Sequence, residues 1–344
     1  AGALLSGAMS AQAYDLPQLG DGNDLVYSPE EETAIGQQVV RQLRAQQGIL
    51  EDAQLTDYIQ AVGNRLVAHS GVKANTHFQF FIVRDSSINA FALPGGFIGI
   101  NSGLITAARN EAELAGVLGH EIAHVTQRHI ARGKDTGGVL TIAALAAMIA
   151  GAILAGGSGD AAFAALMLGS SALQQAQISY TRAHEQEADR IGIRILAAAG
   201  YDPDGMAGFF EHLKDKAQFY GGKTPELLLT HPLSVNRMAE AQARAEQYTR
   251  QKSYLGDDTF VLMQARARVL TNVQQSDSQE YFNAVLASKP DDVGGLYGLA
   301  VSKLQVGEAQ AAAQLATRLQ SQYPQYQQDQ TLYLLQAEAL QKSG

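Results

Sequence analysis

Residues 120–124 read His-Glu-Ile-Ala-His, two histidines four apart with a glutamate directly after the first. On a helix, positions i and i+4 lie on one face a turn apart, so both imidazoles can reach a single zinc ion. Glu121 falls about 100° round the helix from His120, beside such an ion but not aimed straight at it. A general base for a metal-polarised water is needed there. The chain contains no cysteine. That excludes thiolate ligands, a cysteine nucleophile and a disulfide framework, so zinc must be held by histidine and carboxylate.

Two histidines need a third protein ligand, commonly a glutamate from a following helix. Residues 184–189, His-Glu-Gln-Glu-Ala-Asp, open a stretch whose apolar positions Ala188, Ile191, Ile195 and Ala198 recur at helical spacing. Glu185 and Asp189 share a face and Glu187 points the other way. Glu185 is the expected third ligand. Asp189 then stands one turn on, placed to accept the free N–H of a zinc-bound imidazole, that of His120. His129, five after His124, and His184 fall off the ligand face and read as structural or exposed. His231-Pro232, with Arg237 beyond it, leaves alternatives open. His231 can hydrogen-bond the oxyanion formed on a scissile carbonyl, or bind zinc as a fourth ligand and close the site. Arg237 can hold carboxylates or steady the tetrahedral intermediate.

The elements that position these groups are legible from pattern. Leu114, Val117, Leu118, Ile122 and Val125 form an apolar stripe. Asn110 with Glu113 reads as an N-cap and its capping-box partner, so a helix is expected from there to about Arg132. Ser28-Pro29-Glu30-Glu31 announces an earlier helix reaching Gln47, and a second is expected from Asp52 to His69. Between these and the His-Glu-Ile-Ala-His helix the period changes. Residues 77–83, 89–93 and 97–101 read as strands, with a turn at Pro94-Gly95-Gly96. Asn89, Ala90, Phe91, Ala92 and Leu93 are either an edge strand that an extended substrate can join or part of a structural hairpin.

The 344 residues are enough for two domains, and the net charge of −9 gives no electrostatic reason to expect nucleic acid. Residues 1–13 fit the end of a signal peptide with an Ala-x-Ala cleavage site. Residues 137–181 carry one charge, Asp160. They are too rich in Ala and Gly for a simple membrane span, which leaves a helical hairpin over the site, a peripheral membrane contact or a membrane-spanning pair. Beyond Lys252 the chain is rich in Gln, Ala and Leu. Pro290 and Pro324 are 34 apart, with Leu296, Leu299 and Ala300 on one helical stripe, Ala309, Ala312 and Ala316 on another, and Gly307 between. That is the period of a tetratricopeptide repeat, and such an array is expected to extend beyond the single repeat seen here.

Together, His120-Glu121-x-x-His124, Glu185-x-x-x-Asp189 and His231-Pro232 with Arg237 resemble the M48 zinc metallopeptidases, over nearly the whole chain from Ser28. The resemblance implies an α+β architecture: a mainly helical gluzincin domain with a small β-sheet over residues 14–252, then an all-α repeat domain over 253–344. It implies one Zn2+ on His120, His124 and Glu185, Glu121 as base, Asp189 behind the ligands, and a substrate edge strand at Asn89–Asn101. Residues 137–181 would replace membrane helices found in integral-membrane members. For exported members with repeats it implies a Gram-negative periplasmic endopeptidase that acts on unfolded or misassembled outer-membrane proteins and docks on the β-barrel assembly machinery through the repeats. The alternative is a chaperone-like assembly factor whose metal site is latent.

Overall fold

The computed structural model describes residues 28–72, 76–129, 182–219, 225–248, 257–272 and 275–343. The leader at 1–13 and the segment 137–181 lie outside the described residues. Helix α1 (Pro29–Ala45) starts on a capping box: the Glu31 N–H donates to Ser28 Oγ and the Ser28 N–H to Glu31 Oε2. It ends two residues before the expected Gln47, because Gln47 is left-handed (φ 59) and the Gly48 N–H returns to the Leu43 carbonyl. Helix α2 (Ala53–Ala68) is capped by Asp52, which accepts from the Leu55 N–H at 3.0 Å. It buries Leu55, Tyr58, Ile59, Val62 and Leu66.

Strands β1 (Gln79–Val83), β2 (Ala90–Leu93) and β3 (Phe97–Asn101) form a sheet of order β1-β3-β2, with β1 parallel and β2 antiparallel to β3. The turn between β2 and β3 needs positive φ at both Gly95 (+77°) and Gly96 (+83°). Asn89 stands just ahead of β2, so the strand is one residue shorter than the pattern suggested. β3 lies between its two neighbours, leaving β2 at one edge.

Helix α3 (Ser102–Ala107) leads into α4 (Glu111–Thr126), which carries the His-Glu-Ile-Ala-His motif. Asn110 caps α4 by accepting from the Glu113 N–H. The helix stops at Thr126, not near Arg132: Arg128 takes a left-handed conformation (φ 52) that no helix continues. Helix α5 (Arg182–Ala198) packs along α4. Gly119 and Gly192 face each other there. A Cβ on Gly192 would sit 3.0 Å from the His120 nitrogen and 2.6 Å from the Met206 side chain, so only hydrogen at this position allows the two backbones to approach so closely. Helices α6 (Asp204–Phe219), α7 (Glu226–Thr230) and α8 (Val235–Ala245) follow.

Helix α9 (Asp257–Thr271) packs on α2 and α3. The Gln264 side-chain amide donates to the Ile105 and Ala108 carbonyls, and Arg266 makes a two-pronged pair with Asp52 at 2.7 and 2.8 Å. Helices α10 (Gln275–Ser288), α11 (Val293–Gln305) and α12 (Ala309–Gln322), then α13 (Gln330–Ser343), pack on one another in chain order. α10 stops at Ser288, ahead of Pro290 as that proline dictates. Gly307 (φ +88) makes the turn between α11 and α12. One contiguous apolar core runs from α2 through α4 and α5 to α13. No helix among the described residues is long and apolar enough to cross a membrane.

The Asp52–Arg266 pair ties the C-terminal helices to the cap of α2. Burial alone would raise the Asp52 pKa, but the Arg266 hydrogen bond and charge, with the Leu55 N–H, outweigh it and hold the carboxyl below its ordinary range. Its contribution to stability is therefore present above the ordinary aspartate pKa of about 3.9 and is lost as pH falls through the lower folded value. Asp52→Ala strands Arg266 and removes the cap, and is expected to cost about 3 kcal/mol at pH 7. Urea denaturation at pH 7 and pH 3 should show the gap between variant and parent narrowing in acid.

Candidate metal centre

His120 and His124 lie one turn apart on α4 and both are buried. The close passage of α5 at Gly192 brings Glu185 and Asp189 against them. His231 arrives from the other side, at the end of α7. Its N–H closes that helix on the Leu227 carbonyl, while the Leu227 N–H is fastened to the Ile88 carbonyl ahead of β2. Ligand atoms of His120, His124, Glu185 and His231 all lie within 4.8 Å of one another. Nε2 of His120 is 2.9 Å from Nε2 of His124 and 3.3 Å from Nδ1 of His231. Glu185 Oε1 is 3.0 Å from His231 Nδ1 and 3.5 Å from His124 Nε2.

These separations fit a metal. Ligands about 2.0–2.1 Å from a tetrahedral zinc ion lie roughly 3.3–3.4 Å apart. The donor chemistry agrees. Asp189 Oδ1 stands 3.0 Å from His120 Nδ1, so its negative charge favours a proton on that nitrogen and a bare Nε2 toward the other donors. The pocket is electron-rich and calls for a cation. Desolvation works against a charged His120, yet the accepting carboxylates of Asp189 and Glu185, with their charge, push its pKa up to about 10. Burial, then the charges of His120 and His231, drive His124 well below its usual value, toward the neutral form a metal requires. Burial opposes an ionised Glu185, but the charge of His231 and the His120 hydrogen bond hold it well below the usual carboxylate range.

Glu121 is wholly buried, and burial raises its pKa, partly offset by the charges of His231 and His120. One carboxylate oxygen lies 3.6 Å from His231 Nε2, beyond hydrogen-bond reach. Strand β2 packs against α4, the helix that carries this carboxylate.

Arg237 is where the sequence left a choice, and its donors are committed to carboxylates. Ser234 caps α8 and sets Arg237 on its first turn. Nε and Nη2 reach the two Asp189 oxygens at 2.7 and 2.8 Å, and Nη1 reaches Glu185 Oε2 and the Pro232 carbonyl, both at 2.8 Å. The guanidinium sits over the Phe210 ring. Only 4 % of Arg237 is exposed, so the guanidinium is a buried clamp on these carboxylates.

Sequence reasoning missed His129 and Glu187. His129 is buried, with Nδ1 2.9 Å from His124 Nδ1 and Nε2 3.0 Å from Glu187 Oε2. Its ring stacks on that of half-buried His184 at 4.4 Å. The expectation assumed a continuing helix, on which i+5 points away. The left-handed turn at Arg128, held by its pair with Glu32, swings His129 back beneath His124. A non-glycine left-handed residue leaves no signal in the sequence.

The family model described as "Peptidase family M48" matches residues 53–245, which span α2 to α8 and every residue of the centre. The chain belongs to peptidase family M48. Among curated relatives, a beta-barrel assembly-enhancing protease of Yersinia pestis is 42 % identical over 247 residues, covering 72 % of this chain and 50 % of its own length. The beta-barrel assembly-enhancing protease of Escherichia coli K12 is 39 % identical over 263 residues, covering 76 % and 53 %. Metalloprotease YcaL of Escherichia coli is 30 % identical over 192 residues, covering 55 % and 68 %. The chain thus spans about half the length of the two assembly-enhancing relatives.

In this M48 chain Arg237 neutralises two buried carboxylates. Arg237→Leu leaves Glu185 and Asp189 without their counter-charge and is expected to destabilise the metal-free protein by about 3–5 kcal/mol. Arg237→Lys should recover only part of that, because an ammonium cannot make the two-pronged contact. Denaturant midpoints of the three proteins check both statements.

Proposed function

We propose that this chain is a zinc-dependent endopeptidase of the Gram-negative periplasm acting in the quality control and assembly of outer-membrane β-barrel proteins. The observation that carries the reading is the convergence of His120, His124, Glu185 and His231 on one buried point with Glu121 beside it. Membership of peptidase family M48 and the names of the assembly-enhancing relatives support it. His120, His124 and Glu185 would hold the ion, with Asp189 and Arg237 fixing their orientation. Zinc bound there supplies Lewis acidity toward a scissile carbonyl and a neighbouring water. Glu121 takes the proton of the attacking water on its carboxylate and delivers it to the leaving amine. Its raised pKa suits a group that must both accept and release a proton. The free edge of β2 would align an extended peptide antiparallel to Ala90–Leu93, next to that carboxylate.

His231 favours a second, resting state. Its Nδ1 belongs to the donor group, and the exposure of His120 and His231 is only 5 % and 6 %. With His231 as fourth ligand the site is closed, and the chain can act as a chaperone-like assembly factor until the histidine leaves. Residues 14–252 would form the peptidase domain and 253–344 tetratricopeptide repeats that bind the assembly machinery. The packing of α11, α12 and α13 on one another in chain order supports the latter.

Glu121→Gln should retain one zinc per chain by elemental analysis and lose casein cleavage by at least about 100-fold. Wild-type cleavage by that variant would sink the proposal. His231→Ala should keep zinc and cleave faster than the parent if the resting site is closed. Slower cleavage would place His231 at the oxyanion instead.

A further inference from the structure

The hydrogen bonds behind His124 have a direction. Nε2 of His124 faces the donor group, 2.9 Å from His120 Nε2 and 3.5 Å from Glu185 Oε1. Nδ1 faces His129 Nδ1 at 2.9 Å, and the far nitrogen of His129 meets Glu187 Oε2 at 3.0 Å. An ionised carboxylate only accepts. A neutral His129 therefore carries its proton on Nε2, which leaves Nδ1 bare. That bare Nδ1, at 2.9 Å, accepts a hydrogen bond from the His124 Nδ1–H, and neutral His124 is left with its lone pair on Nε2, toward the donors. Of the two neutral tautomers open to each ring, one combination satisfies all three contacts.

We propose that His129 and Glu187 are positioning residues that lock the tautomer of His124 and so set the metal affinity of the centre. The inference rests on the reading that His124 is a metal ligand through Nε2. A ligating histidine usually gives its second N–H to a carboxylate, a carbonyl or water. His120 has the Asp189 carboxylate 3.0 Å from its second nitrogen, and His124 reaches a carboxylate at one remove, with a second imidazole between. The arrangement is built. His129 is 1 % exposed, its ring lies nearly parallel to that of His184 (12°), and the left-handed Arg128 that turns the chain toward His124 is anchored on Glu32. Only the outer end, the 38 % exposed Glu187 side chain, reaches solvent.

Two variants separate relay from packing. His129→Phe keeps a ring against His184 but cannot accept from His124. His129→Asn sacrifices the ring but offers an amide oxygen close to where Nδ1 stood. Zinc affinity of the full chain, measured by competition with a chromophoric chelator, should fall about 10- to 100-fold in His129→Phe and stay nearer the parent in His129→Asn. Nitrogen-15 spectra of the imidazoles in the zinc-loaded parent give a test that no variant's folding can spoil: His129 should carry its proton on Nε2 and His124 on Nδ1. In Glu187→Ala, His129 should lose that preference. Parent-like affinity in His129→Phe, a proton on Nδ1 of His129, or an unchanged His129 spectrum without Glu187 would overturn the relay while leaving the metal site standing. A parent that binds no zinc would overturn both.

Discussion

Three carboxylates and three imidazoles share a space with almost no access to water, and the neutralisation of that charge is the constraint on which the centre depends. Burying an unpaired carboxylate costs several kcal/mol. Arg237 meets the cost for two of them at once, with both prongs on Asp189 and a third contact on Glu185. Asp189 and Glu185 also favour a positive charge at His120. With a metal, the ion supplies that charge, and the imidazoles are already turned to receive it. Metal affinity and fold stability are thus two expressions of one electrostatic balance.

The balance can be struck only where two helix backbones nearly touch. The facing glycines at 119 and 192 let α5 ride close on α4, so that short carboxylate side chains reach imidazoles rooted on the neighbouring helix. The other wall is assembled from α7 and α8, whose starts and stops are set by small local devices: the Pro232 carbonyl, the Ser234 cap, the tie from Leu227 to Ile88. Far from the metal, α9 braces α2 and α3 through Gln264 and Arg266, so the C-terminal helices share the core of the elements that frame the site.

The chemistry was written in local spacing. His120, Glu121 and His124 on one helix, Glu185 and Asp189 a turn apart on another, and a cap at Asn110 are statements about residues within a few positions of each other, and helical geometry converts such spacing into direction without further information. The apolar stripes of α2 and α4 and the glycine turn before β3 are legible for the same reason. Where the helix was assumed to continue past Thr126, the extrapolation failed, because Arg128 turns left-handed without any glycine to signal it. His129 was set aside as a result.

What the sequence determined by itself was the donor set: a cysteine-free group of histidines and carboxylates, with a glutamate next to the first histidine. It could not decide between the roles open to His231 and Arg237, because their neighbours are remote along the chain. Tertiary structure supplied those neighbours. It placed Nδ1 of His231 among the donors, turned Arg237 onto two carboxylates and a carbonyl, and packed β2 against the helix that carries Glu121. The physical reason is that a side chain's direction follows from its own helix, whereas its partners follow from which helices pack together, and that packing is settled by the whole core.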